Sequence, residues 1–173
     1  MSQIINFDYF DLNTIIGIAE RRNIVKVVAG VKSKRYDKNQ TDFETHINGV
    51  MGEAAVAKYL KIKLDKNVSL SGDDKISDLI KNGNRIQVKT TLFKNGALFF
   101  DSKSLFKADV SVSVAIISPV RVDIQGWIDK ETFSNKAEKM NFGYGDRWGI
   151  QPNKLNDIAK LNDYLEIRKE QLV

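Results

Sequence analysis

The stretch that decides the fold is KISDLIKNGNRIQVKTT, residues 75–91. It reads as two short strands joined at Asn82-Gly83, because both residues accept the positive φ of a type I′ turn. A two-residue loop sets the register: Lys81 opposite Asn84, Leu79 opposite Ile86, Asp78 opposite Gln87. Side chains alternate between the sheet faces with period 2. Ile76, Asp78 and Ile80 then share a face with Arg85, Gln87 and Lys89, and Ser77, Leu79, Ile86 and Val88 point the other way. One face is apolar at its centre. The other carries a carboxylate, an amide oxygen and a lysine. Facing Cβ atoms in such a pair lie roughly 4.5–5.5 Å apart, close enough for Asp78 and Gln87 to share one metal ion. A hairpin whose outer face is merely solvated fits the same pattern.

Composition narrows the chemistry. A chain of 173 residues is expected to form one domain with a real core. Its 27 Lys+Arg against 22 Asp+Glu, a formal charge of +5, favour a polyanionic partner such as nucleic acid. There is no cysteine, which excludes disulfides, thiolate metal sites and cysteine nucleophiles. The one histidine, His46, argues against multi-histidine zinc sites and histidine-dependent triads. A metal here would be a hard cation on oxygen ligands. No apolar run approaches the roughly 20 residues of a membrane span, and MSQIINFDYFD lacks the cationic start and apolar core of a signal peptide. An intracellular, cytoplasmic protein is expected.

Upstream of the hairpin, residues 12–31 read as a helix with an apolar stripe of Ile15, Ile16, Ala19, Ile24, Val27 and Val28. Arg21, Arg22 and Lys26 flank it. Lys32, Lys34 and Arg35 form a basic cluster that could touch phosphates or simply line a solvated loop. A second helix is expected over 43–60. There Glu53 shares a face with Val50, Val56, Ala57 and Leu60. That face packs on a sheet, where a carboxylate is costly unless paired, hydrogen-bonded or bound to metal. A salt bridge to a neighbouring Lys or Arg satisfies it as well as a metal does. Gly49 and Gly52 allow close backbone approach.

A short strand is expected at 68–70 and a turn at 71–74, where Asp73 and Asp74 are rival metal ligands. Beyond the hairpin come a strand at 97–100, a short helix or turn at 102–107 and an alternating strand at 109–117. There Val110, Val112, Val114 and Ile116 oppose Ser111, Ser113 and Ala115. Ser118-Pro119 turns the chain into a partner strand over 120–128, with Val122, Ile124 and Ile128 opposite Asp123, Gln125 and Trp127. Trp127 reads as core packing. A short helix is expected over 129–140. Residues 141–149 form a glycine- and aromatic-rich loop carrying Arg147, which could stack on bases or pack beneath a rim. Pro152 suits the first turn of a last helical stretch, with Leu155, Ile158, Leu161 and Leu165 inward.

Taken together, Glu53 lies on a helix, Asp78 on the second of three strands and Gln87-Val88-Lys89 on the third, followed by a short helix and a strand. This resembles the PD-(D/E)XK nuclease superfamily, the restriction-endonuclease-like fold, over about residues 49–117. From Trp127 onward the chain is also similar to an extension found in small phage or mobile-element members, including intron homing endonucleases. The resemblance implies an α/β (α+β) fold. Its αβββαβ core would span about 43–128, with a mixed central sheet flanked by helices. An N-terminal helical part would cover 1–42 and a C-terminal extension 129–173.

Residue by residue, the family's metal-binding aspartate matches Asp78, its (D/E)XK pair matches Gln87 and Lys89, and its helix glutamate matches Glu53. Ser77 stands where proline often precedes the aspartate. Gln87 replaces an acidic residue, keeping one carbonyl oxygen and losing the charge. The implied catalytic set is Glu53, Asp78, Gln87 and Lys89. The implied metal ligands are Asp78, Gln87, the Val88 backbone carbonyl, and Glu53 directly or through water. The implied activity is Mg²⁺-dependent endonuclease cleavage of double-stranded DNA leaving a 5′-phosphate, site-specific in the homing or restriction manner, with Mn²⁺ able to substitute. A homodimer or larger homo-oligomer would present one site to each strand, in a host cell if the chain is phage-encoded. Arg21, Arg22, Lys32, Lys34, Arg35 and Arg147 are the candidate phosphate contacts. The alternatives are a Holliday-junction-type resolvase, a binding module that lost its chemistry at Gln87, and a structural or assembly protein.

Overall fold

The computed structural model describes residues 1–30, 40–64, 77–141, 143 and 145–171. The chain opens with strand β1 (Gln3–Asn6), which sequence periodicity did not signal because four residues give too short a pattern. Helix α1 (Tyr9–Val28) follows. Asp8 caps it: its side chain accepts the Asp11 N–H, and the Asp11 carboxylate accepts the Asp8 N–H. Helix α2 (Asp42–Leu60) starts with the same reciprocal device, Thr41 with Glu44. It stops at Lys61, which takes the left-handed conformation.

The hairpin forms where expected, from β2 (Leu79–Lys81) and β3 (Asn84–Thr91). Asn82 and Gly83 have φ of 52° and 79°, and Leu79 pairs with Ile86 and Lys81 with Asn84. Then come β4 (Leu98–Phe100), a single 3-10 turn (Lys103–Leu105) where a short helix or turn was expected, β5 (Val110–Ser118) and β6 (Arg121–Asp129). Helix α3 (Lys130–Lys136) leads to a second hairpin of β7 (Glu138–Asn141) and β8 (Asp146–Ile150), which replaces the end of the expected helix and the expected loop. Two 3-10 turns precede helix α4 (Leu161–Gln171). The expected strand at 68–70 lies outside the described residues, as does the turn at 71–74.

Five strands form a central sheet in the order β1-β6-β5-β3-β2. Only β3 and β5 run parallel; the other pairs are antiparallel. The parallel pair needs a crossover, and that connection carries β4, which joins β8 and β7 in a separate three-stranded sheet. The fold is α+β, with a mixed five-stranded sheet and four α-helices among the described residues.

One cluster gathers Ile15, Ile18 and Ala19 of α1 and Val50, Val56 and Leu60 of α2 against Ile86, Val112, Val114, Val122 and Ile124 of the sheet. A second joins Leu98, Phe100, Phe106 and Ile150 to Ile128 and Phe133. Phe100 stacks on Phe106, and Phe133 meets both edge-on. Ser111, Ser113 and Ala115 of β5 are therefore as buried as the valines opposite them. A strand covered on both faces has no outer side.

The facing expected for β6 is corrected. Ser113 pairs with Gly126 and Val114 with Ile124, so Gln125 has no partner in the ladder. The bulge turns Trp127 into the cluster of Val122 and Ile124 and sends Ile128 to the other. Trp127 is core, as read, and its Nε1 donates to Asp157 O at 3.0 Å. Among the described residues no helix is long and apolar enough to cross a membrane.

Candidate active site

At the open end of the hairpin the ladder slips. The Asp78 N–H donates to Ile86 O at 2.9 Å, and Ile86 is already the residue that Leu79 faces. Asp78 is thus not seated opposite Gln87, as regular pairing would have it. Its carboxylate bends to the edge of β3, where Oδ2 accepts the Val88 N–H at 2.7 Å. Oδ1 accepts no hydrogen bond among the described residues. Although the residue is only partly covered at its surface, its carboxyl is densely surrounded. Burial first, and then the Glu53 charge, push Asp78 up to about 6 against the pull of the Val88 N–H, Lys89 and Arg22. Glu53, Lys89 and Arg22 all lie within electrostatic reach of Asp78.

Gly52 delivers Glu53 to this place. A Cβ on Gly52 would fall 2.3 Å from Thr90 Oγ1 and 3.2 Å from Val88 Cγ1, so α2 lies directly on β3. Val88 and Thr90 face α2, and by alternation Gln87 and Lys89 project from the opposite face. The expectation that Asp78 shares a sheet face with Gln87 and Lys89 is corrected, because Asp78 leaves the regular ladder. Glu53 approaches from the helix side, Gln87 and Lys89 extend from the other, and Asp78 sits at the strand edge within electrostatic reach of Glu53 and Lys89. Gln87 Oε1 is buried and has no hydrogen-bond partner among the described residues. Lys89 Nζ lies 4.5 Å from the centre of the Phe100 ring, over its face.

Glu53 is held by a bidentate fork. Arg22 Nη1 and Nη2 donate to its two carboxylate oxygens, both at 2.7 Å. The two side chains are 20% and 8% exposed. Arg22 was expected to meet phosphate; it is committed to Glu53 instead. The signal was present, since Arg22 follows Ile15, Ile18 and Ala19 by seven, four and three residues and so shares the inward stripe of α1. Arg147 is corrected likewise. Its side chain is 7% exposed, pairs with Asp101 at 3.4 Å and lies over the Phe99 ring. Pairing of β8 with β4 turns it inward instead of toward a ligand. Arg21 stays exposed on α1, while Lys32, Lys34, Arg35, Asp73 and Asp74 lie outside the described residues. Burial, with the nearby Lys26 and Arg22 charges, holds His46 below its ordinary value, and its Nε2 is buried without a partner.

Among the described residues no three His, Cys, Asp or Glu side chains group as metal ligands. The donors present are oxygens: the Asp78 carboxylate, Gln87 Oε1 and the Val88 carbonyl. The N–H and C=O of one extended residue point to the same edge, so the Val88 carbonyl opens toward Asp78. A buried amide oxygen without a partner and a crowded carboxylate fit a hard divalent cation that keeps several waters. Glu53, with both oxygens on Arg22, would join only through water. No family model, curated protein or solved structure matches the chain.

Proposed function

We propose that the chain is a Mg²⁺-dependent endonuclease of the PD-(D/E)XK kind that hydrolyses phosphodiester bonds in double-stranded DNA, site-specifically and as a homo-oligomer. The observation that carries this reading is Asp78. A structural carboxylate is normally kept ionised by donors or cations. This one is buried beside a second carboxylate and pushed up to about 6, with the Val88 N–H as its hydrogen bond. Titratable groups perturbed in this way cluster at functional sites.

Asp78, Gln87 Oε1 and the Val88 carbonyl would hold Mg²⁺ or Mn²⁺. The cation supplies polarisation of the phosphate and acidification of a bound water. The Val88 N–H fixes the Asp78 carboxylate in position, which removes the need to order it when substrate arrives. Lys89, steadied over Phe100, stabilises negative charge developing on the phosphate or orients the water. Arg22 neutralises Glu53 and limits its repulsion of Asp78.

A second reading rests on the same fork. With both Glu53 oxygens taken by Arg22 and an uncharged Gln87, the fold would serve as a nucleic-acid-binding module without hydrolysis. Plasmid and genomic DNA incubated with the protein in Mg²⁺, in Mn²⁺ and in chelator separates the two. Cleavage is expected with either metal only, with 5′-phosphate ends at recurring sequences. Asp78→Ala and Lys89→Ala are each expected to abolish cutting and to keep salt-sensitive DNA binding. Wild-type rates in both variants would remove the site assignment, and metal-independent binding without cleavage would leave the module reading.

A further inference from the structure

The outward face of α1 takes no part in the site. Arg22, Ile15, Ile18 and Ala19 are turned in, and Phe10, Ile24 and Val28 stand out at 79%, 59% and 77% exposed. Phe10, Asn13, Gly17, Glu20, Ile24 and Val27 follow one another at alternating spacings of three and four, which keeps them on one stripe of a helix. Among the described residues nothing lies within 4 Å of where a Cβ on Gly17 would point. Glu20 and Arg21 are exposed, and neither has an ion-pair partner among the described residues.

This face is complementary to itself. In a two-fold contact residue i meets j, and j meets i. With the axis between Glu20 and Arg21 and the helices antiparallel, the Glu20 of each copy meets the other copy's Arg21. Ile24 falls on Gly17, whose open surface admits it, and Val28 falls on Asn13. Gly17 and Ile24 sit seven residues apart about the point midway between Glu20 and Arg21, so both knobs are placed by one operation. We propose that α1 docks antiparallel on α1 of a second copy of this chain, through Gly17, Glu20, Arg21 and Ile24. The proposal stands on this surface and not on the nuclease reading, though it places Arg22, on the inner side of the docked helix, between the dimer contact and Glu53. It assigns Arg21 to the other subunit and not to phosphate.

A single helix pair buries less than the roughly 1,200 Å² of a standard interface, so association is expected at micromolar concentration. The test is molecular mass by sedimentation equilibrium on the full chain, over about 5–200 µM. The wild type is expected to rise from 19.6 kDa to twice that value. Glu20→Arg alone, or Arg21→Glu alone, gathers four like charges at the axis and is expected to give a monomer. The combined Glu20→Arg/Arg21→Glu chain restores both pairs and is expected to dimerise again. All these positions are solvent-exposed, and circular dichroism is expected to be unchanged. A wild type that stays at 19.6 kDa, a dimer that survives both single reversals, or a combined variant that fails to recover each overturns the proposal. A monomer that cuts DNA would overturn the docking surface and the homo-oligomer, and leave the metal-dependent hydrolysis standing.

Discussion

Asp78 sets a cost that the fold bears for its site. Its value in the folded chain, about 6, lies above the ordinary 3.8, so the ionised form is the disfavoured one. Stability is highest below the unfolded value and falls as pH rises through about 6, by up to about 3 kcal/mol at 1.36 per unit. Asp78→Asn keeps an acceptor for the Val88 N–H and removes the charge. It is expected to raise metal-free stability at neutral pH by about 1–3 kcal/mol in urea denaturation while eliminating cleavage. Added Mg²⁺ should stabilise the wild type and not the variant. An Asn variant less stable than wild type would show that the carboxylate is a structural tie. Arg22→Ala has the opposite sign, because it strands Glu53, mostly buried, beside Asp78. Its expected cost is about 3–5 kcal/mol, and a loss below about 1 kcal/mol, the scale of an exposed pair, would mean that the fork contributes little.

The contact between α2 and β3 depends on one missing side chain. Gly52→Ala puts a methyl 2.3 Å from Thr90 Oγ1. Thr90 is restricted at χ1, so moving its Oγ1 out of the way carries a cost. Overpacking costs about 1–3 kcal/mol, offset in part by about 1 kcal/mol of better helix propensity. A net loss of stability is expected, together with reduced cleavage as Glu53 is lifted away from Asp78. Gly52→Ala combined with Thr90→Ala should recover both, read by thermal unfolding and a nicking assay. If the single variant is as stable and active as wild type, α2 does not lie as close to β3 as described. Elements with local signals were readable: α2 from its apolar stripe, the hairpin from Asn82-Gly83. The facing of β6 was not, because the bulge beside Gly126 is defined only by pairing with β5.

Across the whole molecule the ionisable groups pull in two directions. Asp109 joins the Arg85 backbone and guanidinium at the start of β3 to Arg168 of α4. Asp11 ties α1 to Lys58 of α2. Burial alone would raise both carboxyls, but the bonds from Arg85 and Lys58 outweigh it and hold them below the ordinary value. Their contribution is present above the unfolded value and is lost as pH falls through the depressed one. Asp78 behaves in reverse. Metal-free stability is therefore expected to peak near the ordinary carboxyl value of 3.8, at about pH 4, and to decline on both sides. Urea midpoints across the acid and neutral range check this, and a maximum at neutral pH without metal would contradict it.

The chain's own order of residues determined the hairpin and the pairing of Leu79 and Lys81 with Ile86 and Asn84, the first two long helices and the apolar strands, because these depend on turn chemistry, periodicity and near neighbours. Tertiary structure alone decided that Asp78 leaves the ladder for the Val88 N–H, that Arg22 grips Glu53, and that Arg147 is packed away. Those outcomes are contacts between groups distant in sequence. Their energies arise only once α1, α2 and β3 are brought together and water is excluded from between them.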